Sequence, residues 1–491
     1  MDLAAAGPSV LEVGGSRGTT PGTMTLRSRF AATYADASVT PFWLDRPRPF
    51  PPQPPLSGHT TADLVVVGGG FTGLWTALEA KRSNPEIDVV LLEQYEIAGA
   101  ATGRNGGFCM ATLTHGLGNG AQRWPEEVAE LERQGLANLA AIRDTVRSYG
   151  IACDWRDSGE LILATQPWQV EGLREAPQHA ATFQRTLRFL DREEVAGEVR
   201  SPTYLAGLWD QEGAAMVDPA RLAWGLAEVC LKLGVRIHEH SAATALETSG
   251  QGVRVSTANA SVRGARVALG TNVFPNLVRR VRPFVVPVYD YVLATEPIPA
   301  ERWEQIGWGS RAGLADAGNR FHYYSRTQDD RIVWGGFDAI YHFGNGLRPE
   351  HDQRPDTFEI LAQHFFETFP QLLGTRFSHA WGGAIDTCTR FSPFFGTALG
   401  GRVAYALGYT GMGVGASRFG ARVMLDKLAG ARTERTALEM TRRKPVPFPP
   451  EPLKWAGIQL TKRALGRADR GDGTRNLWLR SLDRLGVGFD S

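Results

Sequence analysis

Residues whose types and spacing could do chemistry fall in glycine-rich turns at opposite ends of the chain. Gly68-Gly69-Gly70-Phe71-Thr72-Gly73 supplies glycine at every fixed position of G-x-G-x-x-G. Gly68 permits the tight turn, Gly70 the close approach of backbone to a pyrophosphate, and Gly73 close packing of helix on strand. Glu93, with Gln94 beside it, follows the last glycine by about 20 residues, where an acid binds a ribose hydroxyl. A purely structural glycine turn would need neither the acid nor its register. The pattern is therefore read as a dinucleotide site. Far downstream, Gly408-Tyr409-Thr410-Gly411-Met412-Gly413-Val414-Gly415 is a second glycine turn ahead of a helical pattern. It forms another anion site at a helix start. No Walker lysine is present, which argues against a nucleoside-triphosphate loop. A reduced, anionic flavin, whose charge collects at N1 and O2, would suit it.

The elements that must hold these turns are also legible. Leu64 to Val67 is a short apolar strand, Leu74 to about Arg82 a helix, and Asp88 to Leu92 a second strand. The small-residue stretch Gly99 to Phe108, including Gly103, Arg104, Asn105, Gly106 and Gly107, suits backbone lying against a flat ligand. Pro125 opens a long amphipathic helix stopped by Gly150. Glu160 to Ala164 is a strand, and a helical stretch then runs through Trp168 and Phe189. Asp218-Pro219 caps a helix ending at Leu233-Gly234. Strands near Val235, Val253 to Thr257 and Arg266 to Leu269 then return the chain to the nucleotide domain's parallel sheet. Gly270 sits where that last strand could reach the cofactor. Val286 to Leu293, Phe321 to Tyr324 and Arg331 to Trp334 suit a mixed or antiparallel sheet roofing a pocket. Thr357 to Phe369 is a helix, and Arg376 to Thr387 and Val403 to Leu407 are strands.

Composition narrows the function classes. A net charge of +1 over 491 residues argues against nucleic acid or an anionic membrane as the main partner. Cys109, Cys153, Cys230 and Cys388 lack metal-ligand or Cys-x-x-Cys spacing and are expected as buried free thiols in the cytoplasm. No run reaches the roughly 20 apolar residues of a membrane span. The first 25 residues are expected to be disordered, with translation starting at Met24 as one explanation. The segment from Pro445 is expected to pack on the body.

Three motifs in order, namely the first glycine turn, Thr102-Gly103-Arg104-Asn105-Gly106-Gly107 and the terminal turn, resemble the D-amino-acid oxidase superfamily of FAD-dependent amine and amino-acid oxidoreductases. The Gly-Arg-Asn-Gly-Gly form and Trp381-Gly382-Gly383 look most like its gamma-glutamylputrescine oxidase branch. The resemblance implies an α/β (α+β overall) architecture, a Rossmann-like FAD-binding domain with an interleaved substrate domain on a mixed or antiparallel sheet. The expected division is a poorly ordered arm (1–40), FAD-binding parts at 41–120, 216–280 and 376–432, substrate parts at 121–215 and 281–375, and a C-terminal extension (433–491). It further implies FAD with its adenosine at Gly68 to Glu93, adenine-contacting backbone near Ala243, and isoalloxazine between Arg104–Gly107 and Gly411, Met412, Gly413 and Val414. Cys388 is offset from the position that carries covalent flavin in relatives, so FAD is expected to be non-covalent. Gly415 stands where carboxylate-binding relatives carry lysine. No lysine sits in a motif, and the strand matching the oxygen-assisting lysine reads Arg331-Ile332-Val333-Trp334. The activity implied is oxidation of a small amine, with O2 or another electron acceptor. Tyr323, Tyr324, Trp381 and Tyr409 are candidates for an aromatic wall at the reacting centre, with core packing as the alternative for each. His322 is read as a satisfied strand histidine. Oligomeric state is not read from the sequence.

Overall fold

The computed structural model describes residues 29–274 and 276–488. The expected disorder before residue 26, and the Met24 start, lie outside them. One eight-stranded sheet is built on parallel strands ordered 403–407, 261–269, 59–67, 89–92 and 236–238. Val65, Val66, Val90 and Leu91 are fully buried, as expected of parallel strands covered on both faces. Residues 394–398 add an antiparallel edge strand, and the hairpin 245–249/252–256 branches from 261–269. Gly252 to Ser256 therefore pairs antiparallel, a correction to the expected parallel extension.

Three helices cover one face. Phe71–Ser83 puts Leu74, Trp75, Ala77 and Leu78 into the core. Pro219–Lys232 starts at Asp218, whose side chain accepts the Arg221 N–H, and Gly234 follows in the left-handed conformation (φ +81°). Gly413–Ala429 ends at left-handed Gly430.

The second eight-stranded sheet runs 377–387, 286–295, 332–336, 322–326, 313–316, 160–164, 206–210, 188–190. Neighbours are antiparallel except 160–164 and 313–316. Helix Pro355–Thr368 packs Phe358, Leu361 and Phe365 against it. Arg188–Leu190 is an edge strand, so the helical reading through Phe189 is corrected; the helix stops at Ala181.

Two boundaries also shift. Helix Val128–Tyr149 buries Leu131, Leu139, Ile142 and Val146 in the parallel sheet's core cluster, not against the second sheet. Residues 29–40, expected as part of a loose arm, include helix Ala31–Tyr34. It is docked by a Phe30–Phe366 ring contact at 5.1 Å and a Tyr34–Glu359 hydrogen bond at 3.0 Å. The C-terminal extension forms helices Leu453–Arg470 and Leu477–Arg484. No described helix is long and apolar enough to cross a membrane, and all four cysteines are buried and free.

Candidate functional site

The site begins where three parallel strands end in register. Val67 pairs with Leu269, and Leu269 with Tyr405. The Gly68 and Gly408 turns therefore leave the same sheet edge two strands apart, about 10 Å. Such a crevice at the carboxyl ends of parallel strands is where doubly wound sheets bind ligands. Both turns feed helices whose N-cap residues, Gly70 and Met412, supply no capping side chain. Most of the leading N–H groups and both positive dipole ends thus remain available to an anion.

Glycine is required here for measurable reasons. Gly68 has φ +111°, and a Cβ on it would lie 2.5 Å from the Gly270 carbonyl oxygen. A Cβ on Gly73 would lie 1.8 Å from the Gly68 oxygen, so only glycine lets this helix sit so close to its strand. Glu93 accepts N–H bonds from Gly69 at 2.5 Å and Tyr95 at 2.8 Å. Burial raises its pKa while those bonds oppose the rise.

A cavity of about 1260 Å³ runs from these turns to the second sheet. Gly68, Gly70, Phe71, Thr72, Glu93 and Gln94 line its nucleotide end, with Ala243 and Gly270 nearby. Arg104, Asn105, Gly106, Gly411, Met412, Gly413 and Val414 line the far end. Gly73, Gly103 and Gly107 do not face it; they shape the backbone behind. Gly107, at φ +82°, lies against the Val217 carbonyl, and its own carbonyl accepts the Val217 N–H. The Asn105 side chain ties the loop to itself, donating to the Ala101 and Thr102 carbonyls and accepting from Gly107. The Arg104 guanidinium bridges to Asp352 at 2.5 Å and to the Gly382 carbonyl at 2.9 Å, so its side chain braces loop to sheet.

The second sheet forms the opposite wall. Tyr323 fits between Gly106 and Gly335, where added Cβ atoms would meet its ring at 2.5 and 2.6 Å. Its hydroxyl donates to Asp290 at 2.5 Å. Burial pushes the Asp290 carboxyl up to about 6, against the opposing pull of the Tyr323 and Tyr291 donors. Tyr409 also lines the cavity.

Tyr324 and Trp381 do not line the cavity, so both are corrected from wall to core. Tyr324 is fully buried with its hydroxyl 2.7 Å from that of Tyr204. Trp381 is fully buried and donates its indole N–H to the Arg104 carbonyl at 3.0 Å. His322 stacks on Trp334 at 4.5 Å, shares a 2.9 Å hydrogen bond with His364, and burial holds its pKa well below the usual value. The Cys388 thiol borders the cavity but points at the Ser392 and Gly408 carbonyls (3.2 and 3.5 Å).

Sequence comparison agrees with this geometry. Residues 63–427 match the model of the FAD dependent oxidoreductase family, DAO. The chain belongs to that family. It is 29% identical over 383 residues to the gamma-glutamylputrescine oxidoreductase of Escherichia coli K12, covering 76% of this chain and 85% of the relative. It is 26% identical over 385 residues to a probable oxidoreductase, OrdL, of Haemophilus influenzae, covering 77% and 85%. Among solved structures, glycine oxidase from Geobacillus kaustophilus superposes with a TM-score of 0.64 at 16% identity, covering 78% of this chain and 99% of that one. The expected fold class stands: the structure is mixed α/β with the fold of FAD-dependent oxidases, and the protein is an FAD-dependent oxidoreductase.

The residues present fit FAD. Gly411 borders the cavity and a Cβ on it would meet nothing within 4 Å, and two helix starts whose N-cap residues supply no side-chain cap face one continuous cavity. Gly415 excludes any longer side chain, because its Cβ would lie 2.0 Å from the Met110 carbonyl oxygen. A lysine cannot be carried there in this backbone.

Several residues escaped the sequence reading. Asp290 lay in the apolar strand Val286–Thr295, where an acid was a visible anomaly. Lys454 and Lys462 line the cavity from the extension, paired with Glu451 and Asp338. They belong to no motif, and only tertiary packing brings them in. Arg320 also faces the cavity, its guanidinium 3.9 Å from the Phe337 ring centre.

Proposed function

We propose that the protein oxidises a C–N bond of a small amine, polyamine-like or derived from an amino acid. The imine formed hydrolyses to an aldehyde and ammonia or a smaller amine. FAD, which the Gly68–Gly73 and Gly411–Val414 backbone would hold, would supply the two-electron acceptor, flavin N5, for hydride from the carbon beside the nitrogen. The chain's own residues bind, orient and keep water out. Tyr323 and Tyr409 give the reacting amine an aromatic surface that attracts an ammonium on approach. A largely apolar cavity then favours the neutral amine that oxidation requires, because burial penalises the charged form.

The observation that carries this reading is the Tyr323–Asp290 pair on the wall facing the flavin end. It offers a polar, partly anionic anchor for an amine in apolar surroundings. The sarcosine oxidase β subunit of Rhodobacter capsulatus, 23% identical over 343 residues, extends the same reading to an amine. We place the protein in the cytoplasm, in keeping with four unpaired thiols.

Anaerobic titration with polyamines, amino acids and N-methyl amines tests the proposal. At least one amine should bleach the flavin. A chain loaded with FAD that no member of the panel bleaches would overturn it, and bleaching by NADPH alone would point to a monooxygenase. Peroxide formation under air separates an oxidase from a dehydrogenase that passes electrons to a quinone or carrier.

A further inference from the structure

The C-terminal hairpin of helices lies beyond residue 427, where the family match ends, yet it forms one side of the cavity. Along Leu453–Arg470 the inward face carries Ile458, Thr461, Lys462 and Leu465, all bordering the cavity. A second stripe reads Leu453, Ala456, Leu460, Arg463, Arg467, Arg470, spaced by three and four residues and exposed throughout, its first three residues standing at the cavity's border.

Two properties of that outer surface belong together. First, large apolar side chains stand in solvent. Leu453, Trp455, Leu460, Leu477, Trp478 and Leu485 are six of the fourteen most exposed large hydrophobics among the described residues, from 39% for Trp478 to 75% for Leu477. Leu453, Leu460 and Trp478 also border the cavity, as does exposed Val446, so the patch rings the cavity's mouth. Second, the hairpin is basic. Residues 453–488 hold eight Lys and Arg against three Asp, a net +5 in a chain of +1. Arg463, Arg467, Arg470, Arg480 and Arg484 are exposed and make no described ion pair.

We propose that this hairpin seats the mouth of the cavity on an anionic lipid surface. Exposed Trp and Leu flanked by arginines are what an interfacial helix offers to headgroups and the upper acyl region. An exposed apolar patch of this kind marks an interaction surface, and the cluster of unpaired cations beside it suits an anionic one. The charge complementarity selects a lipid surface over a second copy of the chain, whose identical arginines would face their own kind across the contact. The helices lie on the surface and do not cross it, consistent with the absence of a spanning helix among the described residues. Seated this way, the cavity would open toward ligands dissolved in the membrane. The proposal holds whichever amine the enzyme takes.

Flotation of the FAD-loaded full chain with vesicles tests it. The protein should bind vesicles of phosphatidylcholine plus phosphatidylglycerol, bind phosphatidylcholine alone far less, and be released by salt. Arg463→Glu/Arg467→Glu/Arg470→Glu should weaken binding about a hundred-fold, at about five-fold per lost cation before any repulsion is added. Leu453→Ser/Trp455→Ser/Leu460→Ser should weaken it comparably. Both variants change exposed residues, and unchanged melting and flavin absorbance would show that each is folded. No binding to anionic vesicles overturns the proposal, as does equal binding to neutral ones or wild-type binding by either variant. A dimer in solution that the serine variant splits, with no vesicle binding, would assign the patch to a second copy and also overturn it.

Discussion

Gly73→Ala is the sharpest test of the cofactor site, because its effect follows from one distance. The added Cβ would fall 1.8 Å from the Gly68 carbonyl oxygen and 3.2 Å from a Val66 methyl. A comfortable carbon–oxygen contact needs about 3.3 Å, so helix Phe71–Ser83 would retreat from its strand by about 1.5 Å. Overpacking of this kind costs about 1–3 kcal/mol. The same retreat would carry the N–H groups at Gly70 and Thr72 away from a bound pyrophosphate, the Phe71 N–H being held by the Thr102 hydroxyl at 3.1 Å. Each charge-assisted bond so lost is worth about 1.5–3 kcal/mol, or about ten-fold to a hundred-fold in FAD affinity. The assay is flavin content after gel filtration, then FAD titration of the stripped protein by fluorescence quenching. Gly172→Ala is the control: that helical glycine has nothing within 4 Å of its added Cβ, and the change should stabilise by about 0.5–1 kcal/mol without touching FAD. If Gly73→Ala bound FAD like wild type and melted at the same temperature, the helix would not be seated against the turn as described, and the pyrophosphate site would be misplaced.

Other consequences follow from the site's polar groups. Tyr323→Phe removes the Asp290 donor; the carboxyl should then titrate about 1–2 pH units above its present value near 6, and the acid limb of kcat/KM should move alkaline by that amount, an unmoved limb arguing that Asp290 does not act on bound amine. Buried Asp316, Asp386 and Glu160 are raised to about 7, 7 and 8, so the folded chain keeps protons that the unfolded chain has released. Their stabilisation is therefore lost as pH rises through those values. His115, lowered by burial to about 4, and His322 act in the opposite sense only below about pH 6.5. Between pH 6.5 and 8 stability should then fall by about 3 kcal/mol, and a urea midpoint that rises with pH there would contradict it. Acid precipitation should release all flavin into the supernatant, since the Cys388 thiol faces two carbonyls; colour left in the pellet would mean a covalent link.

Much of the parallel half was legible because its constraints are local. A four-residue apolar strand, a glycine turn and an acid at fixed spacing all follow from contacts within about 30 residues. Asp218-Pro219 and Gly234 announce their helix ends for the same reason: caps are chosen by the backbone beside them. The misreadings have a common origin. Phe189 lies on an edge strand of three residues, too short for any periodicity to show. Gly252–Ser256 has the composition of a parallel strand, but a tight turn before it forces an antiparallel partner. Helix Val128–Tyr149 is amphipathic, as its periodicity predicts, yet an apolar stripe does not say which of two cores receives it.

The same limit decides how much of the site could be seen. Gly106 and Tyr323 are 217 positions apart, and only the folded sheet shows that the tyrosine ring occupies the space a Cβ on Gly106 would need. Tyr324 and Trp381 had the right chemistry for a wall, but a strand sends alternate side chains to opposite faces. Tyr323 facing the cavity commits Tyr324 to the core, and no composition could say which of the pair would face inward. The extension is the extreme case. Its inward residues form an ordinary helix face, and its outward Leu, Trp and Arg residues look like surface noise until the cavity mouth is found beside them. If those outward residues were noise, exchanging three leucines or tryptophans for serine should improve solubility and alter nothing else. If they seat the mouth on lipid, the same exchange removes the protein from anionic vesicles while its flavin spectrum stays as it was.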